Sequence, residues 1–227
     1  MLAIIKKELK SYFLSPVGYI AIGIFLLIFS FFFQLEVMNT GTINLGYLYF
    51  SVAVYGLLIM VPVLTMKLFA DERKSGTEQL LLTSPVGIFK IVIGKFLSAF
   101  FVILITLLFS FMYYAIIAVL GKPNFVMTLV QMLGFALVGM AGISIGIFAS
   151  SLTENQFIAG LITAVFLLVS LFITEISSAL SVLSFVDYYR NFAMGIISVE
   201  NIISLVLFTC VFLALTIIVM QRRKLVK

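Results

Sequence analysis

"FLLIFSFFF", residues 25–33, is the stretch on which the fold turns. It carries no charge and none of the alternation of polar and apolar positions that a membrane β-strand needs. The charge-free run around it extends over residues 11–35. A helix needs about 20 apolar residues to cross a bilayer core, and this run supplies them. Further charge-free runs occupy 37–66, 96–121, 123–153, 155–174 and 201–221, whereas 176–186, between Glu175 and Asp187, is too short to cross. The sequence thus predicts six membrane-spanning helices, near 17–36, 47–67, 93–119, 126–151, 156–174 and 201–220.

Composition agrees. The 227 residues are 63% hydrophobic and 10% charged, with a mean hydropathy of +1.29. Soluble domains carry about 25% charged residues, so this chain is built for lipid. Histidine is absent and Cys210 is the only cysteine, which removes internal disulfides, cysteine–histidine metal sites and histidine acid–base chemistry. The net charge of +5 is read by location, and no nucleic-acid partner is implied. The basic start runs into a long apolar stretch with no A-x-A-like site, so it reads as retained rather than as a signal peptide.

With six spans both termini share a side. That side receives Lys6, Lys7, Lys10, Lys67, Arg73, Lys74, Lys90, Lys95, Arg222, Arg223, Lys224 and Lys227, against Lys122 and Arg190 on the other. The 12 to 2 split predicts cytoplasmic termini and a cytoplasmic segment 67–92.

Shorter signals punctuate the spans. Residues 1–15 place Leu2, Ile5, Leu9 and Tyr12 at helical spacing opposite Lys6, Lys7 and Lys10, an amphipathic helix able to lie in the membrane interface. "SPVG" occurs at Ser15–Gly18 and Ser84–Gly87, and each copy reads as an N-cap serine with proline at the first helical position. In the fourth span Gly142 and Gly146 form a G-x-x-x-G pair suited to close helix packing within the subunit. Residues 175–200 predict short outer helices at the interface before the last span, with Tyr188, Tyr189 and Arg190 as candidates for an outer gate or an ordinary aromatic belt. Glu36 and Glu175 fall at predicted outer ends, where solvation keeps a carboxylate inexpensive.

The longest polar stretch, "DERKSGTEQLLLTSP" at 71–85, lies between the second and third spans. Ser75-Gly76-Thr77-Glu78 fits a capping box, predicting a helix from about Gly76 that carries Leu80, Leu81 and Leu82. Three leucines on an exposed loop need the membrane surface or another protein's groove. The Gly94-Lys95 pair downstream is not a P-loop, because Phe89 stands where its first glycine belongs and Phe96 where Ser or Thr belongs.

Glu72, Arg73, Gly76, Thr77, Glu78, Leu81, Ser84, Pro85, Gly94 and Lys95 together resemble the cytoplasmic loop of ABC-2-type transporter permeases, and the span plan extends that resemblance over the whole chain. "KKELKSYFLSPVGYI" and "YYRNFAMGII" look most like the gliding-motility-associated subgroup. The resemblance implies an all-α polytopic protein of the bacterial cytoplasmic (inner) membrane: a single transmembrane domain over 1–227, a permease subunit of an ATP-driven exporter. It implies that two permease subunits, identical or related, form a path among membrane lipids. It implies separate ATP-binding subunits that hold ATP and Mg, leaving this chain neither cofactor nor catalysis. Glu72, Arg73, Gly76, Thr77, Glu78, Leu80, Leu81 and Leu82 would then form the coupling helix, with Glu154, between spans four and five, as a second contact. The rival readings are a membrane-embedded enzyme, for which no catalytic group is evident, and a standalone secondary carrier or channel, which would need polar groups at mid-membrane.

Overall fold

A computed structural model describes residues 1–41, 43–176 and 184–226, and all regular structure among them is helical. After α1 (Leu2–Leu14), the first span is α2 (Pro16–Phe33), continued by a π-turn over Gln34–Met38. The second combines α3 (Gly46–Ser51), a π-turn at Val52–Gly56 and α4 (Leu57–Thr65). Two short helices follow, α5 (Ala70–Lys74) and α6 (Glu78–Thr83). The remaining elements are α7 (Ile88–Leu120), α8 (Phe125–Leu152), α9 (Gln156–Ile176), α10 (Phe185–Ala193) and α11 (Val199–Val226). Six helical stretches are long and apolar enough to cross a membrane, from Pro16–Met38 to Val199–Leu225. The expected six-span, all-α architecture is therefore present. The termini, α5, α6 and the α8–α9 turn gather at one end of the bundle, while α10 and the loop before α8 occupy the other.

Lipid and protein faces separate along each helix by size as much as by polarity. On α9 the outward stripe is Phe157, Leu161, Val165, Leu168 and Phe172, and the inward one is Ala159, Thr163, Leu167 and Ser170. Small inward residues are the usual device where lipid removes any hydrophobic preference for the interior. The central helix, α8, takes this furthest and touches α4, α7, α9, α10 and α11. A methyl group at Gly142 would lie 3.3 Å from Val61, and one at Gly146 would overlap Thr65, whose Cβ would be 2.7 Å away. Gly134 abuts Phe192 of α10, and Gly139 lies against Ile103 of α7. At both glycines α8 lies close against α4.

Three expectations meet corrections. The first "SPVG" opens α2 at Pro16 as predicted, but the second does not open α7, whose N-cap is Gly87. Ser84 instead donates its hydroxyl to the Leu81 carbonyl at 2.7 Å, closing α6, and the chain bends over residues 84–86 before α7 begins. Helix α1 does more than rest on an interface: Ile5, Glu8 and Tyr12 are buried against the bundle, and Tyr12 Oη donates to the Leu64 carbonyl at 2.6 Å. At the end of the first span Glu36 is half-buried and accepts a hydrogen bond from the Ser51 hydroxyl, where solvation by water was expected. The Glu175 side chain and residues 177–183 of the expected outer segment lie outside what is described.

The glycine seam sets a test. Gly146→Ala forces α8 off Thr65 and should cost about 1–3 kcal/mol, the usual penalty of overpacking. Gly23→Ala, on an α2 face with nothing within 4 Å, serves as the control and should leave stability unchanged or raised. Thermal melting in detergent distinguishes them, and equal melting temperatures would contradict the close approach.

Candidate functional site

The polar stretch folds into two helices because its ends are tied to α8 and its middle breaks at a glycine. Phe69 and Ala70, which begin α5, donate their N–H groups to Ser150 Oγ at 3.0 and 3.1 Å, and Ser150 in turn donates to the Met66 carbonyl. Orphan N–H groups of a helix start are met by a hydroxyl of another helix. At the other end of α5, Gly76 adopts φ +73°, a conformation side chains rarely accept, which stops the helix. Ser75 donates to the Asp71 carbonyl at 2.9 Å, and Thr77 shares a hydrogen bond with Ser75. The capping box is therefore not formed: Ser75 closes α5, and α6 starts at Glu78 without a side-chain cap.

Glu78 is unavailable for capping because a distant cation holds it. Arg223 of α11 sits 3.1 Å from Glu78 and also donates to the Ser151 carbonyl, so α6, α8 and α11 meet at one guanidinium. Arg73 pairs with Glu154 at 2.9 Å and donates to the Leu152 carbonyl at 3.2 Å. Gln156 donates to Asp71. The two segments that the sequence separates, 71–83 and the α8–α9 turn, are neighbours.

Beneath them lies a charge cluster that sequence reasoning missed. Lys95, in the second turn of α7, is 1% exposed. Its ammonium lies 3.0 Å from Glu8 of α1, 2.9 Å from Glu72 of α5 and 2.6 Å from the Leu68 carbonyl, with the Phe69 ring beside it. The ammonium donates to Glu8 and to the Leu68 carbonyl, and Glu72 Oε2 adds a second opposite charge beside it. Lys7 reaches Glu72 at 2.9 Å and Glu8 at 3.7 Å, so two cations balance two carboxylates. Burial pulls the Lys7 ammonium down, but Glu72 and Glu8 outweigh it and hold its pKa above the ordinary lysine value. The raised value means that this contribution is complete at neutral pH and is lost only as pH climbs through the folded-state pKa.

The candidate residues thus divide by direction. Glu72 and Glu78, expected as partner contacts, point inward because Lys95 and Arg223 claim them. Leu82 is buried, Leu81 is half-buried and Leu80 is 73% exposed, so the leucines do not share one environment. The open surface includes Lys74, Ser75, Gly76, Thr77, Gln79, Leu80, Thr83 and Glu154.

At the opposite end the outer candidates also separate. Tyr189 is buried, stacks on Phe50 and donates to the Gln131 carbonyl at 3.1 Å, which makes it an anchor of α10. Burial raises its phenol pKa well above the usual value. Tyr188 is half-buried, and its carbonyl accepts from Asn201 at 2.9 Å. Arg190 is exposed and lies 3.8 Å from Asp187.

Comparison with known proteins gives one family: the sequence model of the ABC-2 family transporter protein matches residues 2–225. No curated protein matches the chain.

Removing one partner from a buried charge group leaves the others uncompensated, at a cost of about 3–5 kcal/mol. Lys95→Met should therefore lower thermal stability in detergent sharply. Arg73→Gln breaks a pair whose Glu154 is 62% exposed and should cost less than about 1 kcal/mol. Combining Lys95→Met with Glu8→Gln and Glu72→Gln should recover much of the loss. Equal melting for the two single variants would show that the cluster does not hold the helices.

Proposed function

The chain belongs to the ABC-2 family of transporter proteins, and from that premise we propose that it is the permease subunit of an ATP-driven exporter, with separate ATP-binding subunits docking on α5 and α6. The observation that carries this reading is the construction of that surface. Leu80 stands exposed on a short helix whose other faces are fixed by Glu78–Arg223, Leu82 and, through α5, Glu72–Lys95. An exposed leucine among polar neighbours fits an anchor in a partner's cleft, and the fixed faces pass movement of that cleft to α1, α7 and α11. Glu154, paired with Arg73, adds the α8–α9 turn to the same footprint. ATP and its metal belong to the partner in this reading.

A path between two permease subunits is favoured over one through a single chain. Buried Thr106, Ser144, Thr163, Thr209 and Thr216 each donate to a carbonyl of their own helix. These hydroxyl donors are thus satisfied by their own helices. The bias of Lys and Arg towards the end bearing the termini supports a cytoplasmic position for α5 and α6 in a bacterial inner membrane.

Two experiments check the proposal. In a Cys210→Ser background, a membrane-impermeant thiol reagent applied to intact cells should label Asn124→Cys and spare Ser75→Cys; the reverse would invert the topology. For docking, Leu80→Asp should lose most ATPase co-purification and ATP turnover of the reconstituted complex, since a buried interface anchor contributes about 2 kcal/mol or more. Lys74→Ala, a rim change, should alter both only slightly. Wild-type values for Leu80→Asp in a chain that still inserts would place the ATPase elsewhere.

A further inference from the structure

Among the described residues, the end of the bundle opposite the termini carries two Lys and Arg side chains, Lys122 and Arg190. They line two adjoining lobes of the surface, one each. One lobe, of about 360 Å³, runs past Arg190, Tyr47, Phe50 and Met194; the other, of about 220 Å³, runs past Lys122, Thr128 and Gln131. Asn44 and Met127 line both lobes, which are therefore neighbours. Lys122 makes no ion pair among the described residues, and Arg190 meets only Asp187, at 3.8 Å and with both side chains substantially exposed.

The floor of the groove is fixed by hydrogen bonds. Gln131 Nε2 donates to the Ala193 carbonyl at 3.1 Å and to Asn44 Oδ1 at 3.4 Å, and Asn44 Oδ1 also accepts from the Gly46 N–H at 2.9 Å. These bonds fix which end of the amide is oxygen. Gln131 is 1% exposed, yet its Oε1 has no hydrogen-bond partner. A buried acceptor left without a donor is costly and rare. The residue that carries it lines the lobe that holds Lys122. The groove therefore offers two cations for an anion and one buried acceptor for a hydroxyl or ammonium.

Its depth identifies the class of ligand. Gly46 and Phe125 begin the second and fourth spans, so the groove lies at headgroup level. Apolar side chains at its rim remain exposed, among them Tyr47 at 74% and Met194 at 59%. We propose that the groove binds a glycerophospholipid. The phosphate lies between Lys122 and Arg190, a headgroup hydroxyl or ammonium donates to Gln131 Oε1, and the acyl chains leave past Tyr47 and Met194.

The test titrates the purified full-length chain in detergent with short-chain probes by calorimetry. Dihexanoyl phosphatidylglycerol, anionic with hydroxyl donors, should bind. Dihexanoyl phosphatidylmethanol has the same charge without a donor, and should bind about fivefold more weakly if one net hydrogen bond is lost. Dihexanoyl phosphatidylcholine, with neither net charge nor donor, should bind more weakly still. Lys122→Gln and Arg190→Gln, both exposed and safe for folding, should each weaken phosphatidylglycerol about fivefold, as expected for a basic residue at a membrane surface. Glycerol 3-phosphate matching phosphatidylglycerol would make the ligand a soluble phosphate and overturn the lipid assignment. Indifference to headgroup or to both substitutions would overturn the site. So would a change in subunit mass with unaltered lipid binding, which would make the groove a contact between copies.

Discussion

A charged lysine without access to water dictates much of this molecule. Lys95 is placed by α7 where neither lipid nor water can solvate it, and an unpaired buried ammonium would be prohibitive. Its protons must be met by oxygens from elsewhere in the chain. Glu8 brings α1, Glu72 brings α5, and the Leu68 carbonyl brings the end of the second span. Once these are assembled, α1 is no longer free to float on a membrane surface. The proposed docking helices are likewise no longer a loose loop. Lys7 completes the charge balance from the rim, half in solvent, where little is lost if it moves.

The cluster would be an isolated knot were it not joined to the spans by close backbone packing. Helix α8 supplies that join. Its glycines let α4, α7 and α10 approach along one helix, and Ser150 in its last turn holds the first N–H groups of α5. Packing of this kind depends on the absence of side chains, so it transmits displacement with little slack. The end bearing α5 and α6 and the end bearing α10 are thus connected through one helix, with Thr65 against Gly146 near one and Phe192 against Gly134 near the other.

Much of the architecture was legible because charge is so scarce. Runs without Lys, Arg, Asp or Glu located all six spans, whereas the Gly142/Gly146 spacing left open which helix faces α8 there. What failed did so where distant residues compete with local chemistry. Ser75 and Glu78 have the right spacing for a capping box, but Arg223, far along the chain, offers Glu78 a full opposite charge. Ser84 repeats the residues of Ser15, yet a nearby carbonyl takes its hydroxyl. Glu8 could have been recognised, since it falls on the same α1 face as Ile5 and Tyr12, a position where a carboxylate needs a buried cation. Lys95 could have supplied it, but the charge-run reading placed that lysine at the edge of the span and so in water.

The inward turn of Glu72 and Glu78 also changes what the polar stretch can do. A loop whose charges all faced a partner would bind strongly and transmit poorly, because each contact would end on a flexible side chain. Here the charged residues of the stretch other than Lys74 are divided between the protein interior and the neighbouring α8–α9 turn, while Leu80 alone among the three leucines is fully presented. Apolar contact with a partner is tolerant of small rotations, since it has no directional requirement. The buried ion pairs are not tolerant, because a shift of an ångström exposes an uncompensated charge. Under the proposed docking, the partner therefore grips through the adaptable contact and the subunit responds through the rigid ones. The Arg73–Glu154 pair, lying between them with Glu154 exposed, is the contact that can rearrange at least cost.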